Sequence, residues 1–150
     1  MAKVIVLYAS MTGNTEEMAG AVAVGAREAG AEVVLRDVFD ATASELVKYD
    51  GIAIGAYTWG DGELPDEFLD VYEAMGALDL SGRKAAVFGS GDSSYPIFCG
   101  AVDTIEEKLK ELGAELVAEG VKVEFTPSKE ELTKCQAAGR LVAGAVPALN

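Results

Sequence analysis

Hydroxyls, glycines and large aromatics are concentrated in three short stretches of this chain. The first is Ser10-Met11-Thr12-Gly13-Asn14-Thr15, with three hydroxyls, one amide, one glycine and no Lys or Arg. It lies between an apolar run and a helix-forming segment. The first-turn N–H groups of a helix lack intrahelical partners, and the helix dipole favours negative charge there, so this junction suits a phosphate. The second stretch, Tyr57-Thr58-Trp59-Gly60-Asp61-Gly62-Glu63-Leu64, holds the single tryptophan. The third, Gly89-Ser90-Gly91-Asp92-Ser93-Ser94-Tyr95, ends in a tyrosine ahead of Pro96. Trp59 and Tyr95 on separate loops suit the two faces of a planar ring, and the glycines let backbone approach it closely. A phosphate at one end and a flat aromatic system at the other describe a mononucleotide-like cofactor.

Each stretch also has a plainer explanation. A Ser/Thr/Gly/Asn loop after a strand is often an ordinary turn with a cap. A lone tryptophan is often a packing residue, and an acidic run such as Asp61, Glu63, Asp66, Glu67 and Asp70 is usually a solvated face. The cofactor explanation is stronger because it accounts for three stretches at once.

Other chemistries are poorly supplied. There is no histidine, which removes the commonest general base and metal ligand. Cys99 and Cys135 form no CxxC pair, and the position six residues after Cys99 is Ile105 rather than an arginine. Cys99 reads as a small buried hydrophobe. The first stretch lacks the Gly-Lys-Ser/Thr of a P-loop. Ser10 and Tyr57-Thr58 occupy the places where a receiver domain needs an acidic pair and a phosphorylatable aspartate.

The formal charge is −13, from 25 acids against 12 bases. Nucleic acid is not an expected partner, because phosphate neutralisation needs clustered Lys and Arg. An anionic membrane surface is disfavoured for the same reason. The acidity suits either solubility alone or steering toward a basic protein partner. No apolar stretch is long enough to span a membrane, and no charged segment followed by an apolar run marks a leader, so a cytoplasmic, reduced setting is expected.

The elements that must position these stretches alternate. Lys3–Ala9 reads as a central strand buried on both faces, followed by a helix over 15–29 capped by Asn14 or Thr15 and stopped at Gly30. Glu32–Arg36 is a strand, and 39–48 a loop with a short helix capped at Thr42 or Ser44. Gly51–Ala56 is another doubly buried strand. A helix runs from Pro65 to about Ala77 with Phe68, Leu69 and Tyr72 inward. Lys84–Gly89 is the fourth strand, with a loop over 90–96. A helix spans 99–112, with Ile105, Leu109 and Leu112 on one stripe. The last strand, 115–125, has a break near Glu119-Gly120. Ser128 and Glu131 then form a capping box for a helix reaching about Gly144. The expectation is one domain, residues 1–150, in the α/β class: a doubly wound, five-stranded parallel sheet with helices on both faces. In the order 2-1-3-4-5, strands 1, 3 and 4 are neighbours, and the three loops border one crevice at their carboxyl ends.

Taken together, Ser10-x-Thr12-Gly13-Asn14-Thr15-Glu16, Thr58-Trp59-Gly60-Asp61 and Gly89-Ser90-Gly91-Asp92-Ser93-Ser94-Tyr95 with Phe98-Cys99-Gly100 resemble the flavodoxin family. The likeness covers nearly the whole chain, and the uninterrupted fifth strand is similar to the short-chain members. Met11 stands where many members carry a small or hydroxyl residue. The resemblance implies bound FMN and a monomeric one-electron carrier rather than an enzyme. It would serve basic-surfaced redox proteins, a reductase on one side and acceptor enzymes on the other. It implies cofactor contacts from Ser10, Met11, Thr12, Gly13, Asn14 and Thr15, from Thr58, Trp59, Gly60 and Asp61, and from Ser90, Gly91, Asp92, Tyr95, Phe98 and Cys99. It further implies that Trp59 and Tyr95 flank the isoalloxazine. A peptide flip at Gly60 would stabilise a neutral semiquinone. Independently of the resemblance, a carboxylate near such a ring disfavours its anionic, fully reduced form, so with Asp61, Glu63 and Asp92 as candidates a low-potential second reduction is expected.

Overall fold

A computed structural model describes residues 3–11, 13–58, 62–92 and 98–145. Three apolar segments form its centre: β1 (Lys3–Ala9), β3 (Gly51–Ala56) and β4 (Lys84–Gly91). They run parallel and in register, with Ile5 opposite Ile52 and Ile52 opposite Ala85. The edge strand β2 (Glu32–Asp37) pairs with the other side of β1. Beyond β4 lie two short strands, β5 (Glu115–Leu116) and β6 (Val121–Glu124), both paired with β4. The order is therefore 2-1-3-4-5, with the fifth position split where the sequence predicts a break.

Side chains alternate across a strand, so each central strand feeds two cores. Val4, Val6 and Tyr8 pack under α1 (Asn14–Glu28) and α4 (Lys129–Ala145). Ile5, Leu7 and Ala9 pack under α2 (Asp66–Met75) and α3 (Gly100–Glu111). Burial on both faces is why β1 and β3 read as unbroken apolar runs. The two helices of the first layer lie very close. A Cβ on Gly25 would come within 1.9 Å of the Gln136 carbonyl oxygen, and one on Gly139 within 2.0 Å of that of Val22.

Several boundaries differ from the sequence expectation. β4 continues through Ser90 and Gly91, because these residues pair with Val123 and Glu124 of β6. The short helix expected within 39–48 is present as two 3-10 segments, Val38–Asp40 and Ala43–Lys48. Leu69 is 39% exposed, and the inward stripe of α2 is Phe68, Val71 and Met75, with Tyr72 half-buried. A stripe at i, i+3, i+7 leaves residue i+1 about 100° away, which turns Leu69 outward. Helix α1 is not capped by Asn14 or Thr15. Gly13, with φ of 92°, is its capping residue, and Ser10 supplies the side-chain oxygen. The Ser128–Glu131 capping box forms as the spacing predicts, with both reciprocal hydrogen bonds present.

Candidate functional site

The carboxyl ends of β1, β3 and β4 lie side by side, and the segments leaving them enclose a crevice of about 180 Å3. Among the described residues its wall includes Met11 and Asn14 from the first segment and Tyr57 and Thr58 from the second. Ser90, Gly91 and Asp92 come from the end of β4, and Phe125 follows β6.

The first segment turns into α1 through Gly13, whose left-handed backbone is open to glycine at little cost. Gly13 and Glu16 both donate backbone N–H bonds to Ser10 Oγ at 3.2 Å. That oxygen thus serves as acceptor twice, and the single hydroxyl proton of Ser10 remains a donor. The N–H groups of Asn14 and Thr15 belong to the first helical turn, where no carbonyl of the helix itself can reach them.

Thr15 and Ser90 are buried, and their hydroxyl oxygens lie 2.8 Å apart. One proton is shared within the pair, and the other is available to a third group. The Ser90 carbonyl accepts the Thr58 N–H at 3.0 Å. Thr58 Oγ1 in turn accepts the Ala101 N–H at 3.1 Å, at the start of α3. The Gly91 carbonyl accepts the Phe125 N–H at 3.1 Å. A continuous set of hydrogen bonds therefore fixes the first segment, the second segment, the end of β4 and the turn after β6 against one another.

Tyr57 donates its hydroxyl to Glu67 at 2.8 Å, which ties the second segment to the first turn of α2. Burial, and then this hydrogen bond to Glu67, pushes the Tyr57 phenol well above its ordinary range. On the first segment's side, Tyr8 reaches Glu16 at 3.3 Å, and its phenol is also raised, first by burial and then by the Glu16 charge.

Of the residues singled out from sequence, Met11, Asn14, Thr58, Ser90, Gly91 and Asp92 converge on the crevice, while Ser10, Gly13 and Thr15 build the turn and helix start beside it. Phe98 is half-buried and packs against the core under α2 and α3. Cys99 is fully buried in that core, with its thiol directed at the carbonyls of Gly89 (3.8 Å) and Val123 (3.7 Å). Burial pushes the Cys99 thiol up to about 11 and that of Cys135 to about 12, so both remain protonated, as expected of small hydrophobes. Thr12, Trp59, Gly60, Asp61 and Tyr95 lie outside the described residues.

Two wall residues, Tyr57 and Phe125, were not among the candidates from sequence. Tyr57 is signalled by its place at the end of β3, beside Thr58. Phe125 has no local signal, because only the pairing of β6 with β4 brings it to this end of the sheet.

A larger cleft, about 650 Å3, lies between α3, α4 and the 118–122 segment. Its wall holds the Lys122–Asp103 ion pair (2.8 Å) and Glu106, whose carboxyl burial raises. None of the described residues of the three candidate stretches lines it. Among the described residues no cluster of His, Cys, Asp and Glu is arranged to hold a metal ion, and no helix is long and apolar enough to cross a membrane.

Comparison with known proteins agrees with this fold. The family description "Flavodoxin" matches residues 6–139. The chain is 52% identical over 132 residues to a probable flavodoxin 2 of Bacillus subtilis, covering 87% of each sequence. Its fold superposes on the crystal structure of oxidised flavodoxin 1 from Bacillus cereus with a TM-score of 0.93 and 52% identity, covering 97% of this chain and 99% of that one. It is also 35% identical over 120 residues to the sulfite reductase flavoprotein alpha-component of Vibrio cholerae, in a match that takes only 20% of that longer protein.

Proposed function

Because this chain belongs to the flavodoxin family, whose members bind FMN and carry electrons, we propose that it is a short-chain, monomeric one-electron carrier with a low-potential second reduction. Its expected partners are basic-surfaced proteins, a reductase and one or more acceptor enzymes, in the cytoplasm. Flavodoxins are the type case of the 2-1-3-4-5 order, with FMN at its switch point.

The carrying observation is a set of neutral donors converging at the start of α1 without a single base in the described crevice wall. A phosphate there would be held by the hydroxyl protons of Ser10 and of the Thr15–Ser90 pair and by first-turn N–H groups. Hydrogen bonds to a charged group are worth roughly 1.5–3 kcal/mol each. Several of them outweigh the long-range repulsion of a chain of charge −13, which salt screens beyond about 8 Å. The donor set therefore fits the phosphate end of FMN. When bound, FMN supplies two successive one-electron reductions. The protein contributes the slot, the exclusion of water and a negative surrounding. Asp92 in the crevice wall supports that last role.

The test is binding followed by stepwise reduction. The apoprotein should bind FMN far more tightly than riboflavin, and a reductive titration should show two resolved one-electron steps in the visible spectrum. Equal affinity for the two flavins, or no binding of FMN, removes this assignment. Steady NADPH oxidation by the protein alone would instead identify a flavoenzyme.

A further inference from the structure

Only two described residues other than glycine adopt a positive φ, Cys99 (52°) and Phe125 (56°). Cys99 is fully buried in the core, where packing holds it. Phe125 is 55% exposed, belongs to neither core, and lines the crevice. The left-handed region is unfavourable for a bulky side chain, and glycine would make the same turn without that cost. The turn itself needs only the backbone, through the Phe125 N–H bond to the Gly91 carbonyl. Strain of this kind is kept where the side chain has work at a site. A second large exposed hydrophobe, Met11 (61%), lines the same crevice next to the start of α1.

We propose that Phe125, with Met11, is an apolar cover over the phosphate end of the cofactor and sets the preference of this site for a phosphorylated flavin. The inference rests on the FMN assignment above. The described crevice wall offers a phosphate no base. Neutral donors hold an anion firmly only where water does not compete and the local dielectric is low. An aromatic ring and a thioether beside Asn14 and Ser90 supply that condition. The charged phosphate gains most from it, and the uncharged remainder of the flavin little.

The experiment compares wild type, Phe125→Gly and Phe125→Leu as apoproteins. Urea unfolding gives stability, and fluorescence quenching gives the dissociation constants of FMN and riboflavin. Phe125→Gly should be as stable as wild type or more so, because the strain is relieved. Its FMN dissociation constant should rise about tenfold, with riboflavin changed less than about threefold. Phe125→Leu, which keeps an apolar cover, should retain most of the FMN affinity. An unchanged FMN affinity in Phe125→Gly overturns the inference, as does equal weakening of both flavins. Loss of apoprotein stability in Phe125→Gly overturns it too, since the ring would then be a packing residue. A wild type that binds no FMN is a separate result and removes the parent assignment first.

Discussion

Ser10 meets the backbone with its hydroxyl oxygen and, in the proposed complex, would offer its hydroxyl proton to the phosphate. Its oxygen accepts from Gly13 and Glu16, so Ser10→Ala removes the side-chain cap of α1 and, in the proposed complex, would remove a phosphate donor with it. The apoprotein should lose about 1 kcal/mol by urea titration. FMN should bind roughly ten- to a hundredfold more weakly by fluorescence quenching, from one lost bond to a charged group. A variant with weakened binding but intact apoprotein stability would separate the two roles. In the proposed complex Asp92, in the crevice wall, would act through its charge. At an effective dielectric of ~20, a carboxylate ~10 Å from a developing anion costs about 1.7 kcal/mol before screening. A one-electron couple shifts by about 59 mV per tenfold change, so each such acid lowers the potential by roughly 70 mV. Asp92→Asn should raise the second one-electron potential by several tens of millivolts in a spectroelectrochemical titration, and an unmoved potential contradicts this account.

Among the elements, the α1–α4 pair is the most closely fitted contact. Gly25 and Gly139 let the two backbones approach to distances at which a methyl group meets a carbonyl oxygen. Neither glycine has a positive φ, so the constraint is space and not conformation. Within a free helix, Gly→Ala is favourable by about 1 kcal/mol. Here Gly139→Ala should instead destabilise, by about 1–3 kcal/mol, because the helices must move apart. Urea unfolding with Gly20→Ala as control checks this. Gly20 lies in α1 with open space around its Cβ position, and its substitution should stabilise. The core beneath α1 and α4 also carries Tyr8 and Phe88 of the central strands, so a shift of these helices is felt by the sheet that places the site.

For the whole molecule the governing quantity is the −13 charge. Like charges repel within the compact state, and opposite charges attract a basic partner from solution. Both effects fall with ionic strength but with opposite consequences. Raising salt from about 0.01 M to 0.5 M shortens the Debye length from about 30 Å to a few ångströms. The apoprotein should become more stable, read by its thermal midpoint. The bimolecular rate of electron transfer to a basic acceptor should fall by an order of magnitude or more, read by stopped flow. A rate independent of salt would leave the acidity as a solubility device only.

The sequence by itself determined whatever depends on neighbours a few residues apart or on the two-sided burial of a strand. The spans of β1 and β3 follow from runs that are apolar on both faces, and the Ser128–Glu131 box from a three-residue spacing. The composition of the three candidate stretches is local to the chain, and the family follows from their order along it. The tertiary structure alone decided what depends on partners far away in the chain. Ser90 and Gly91 became strand because β6 pairs there, and Thr15 met Ser90 across 75 positions. Leu69 turned outward because the sheet selects which stripe of α2 is buried. Phe125 reached the crevice only through the β4–β6 register. Short-range hydrogen bonds and hydrophobic period are written along the chain. Register and close approach belong to surfaces that exist only once the layers have packed.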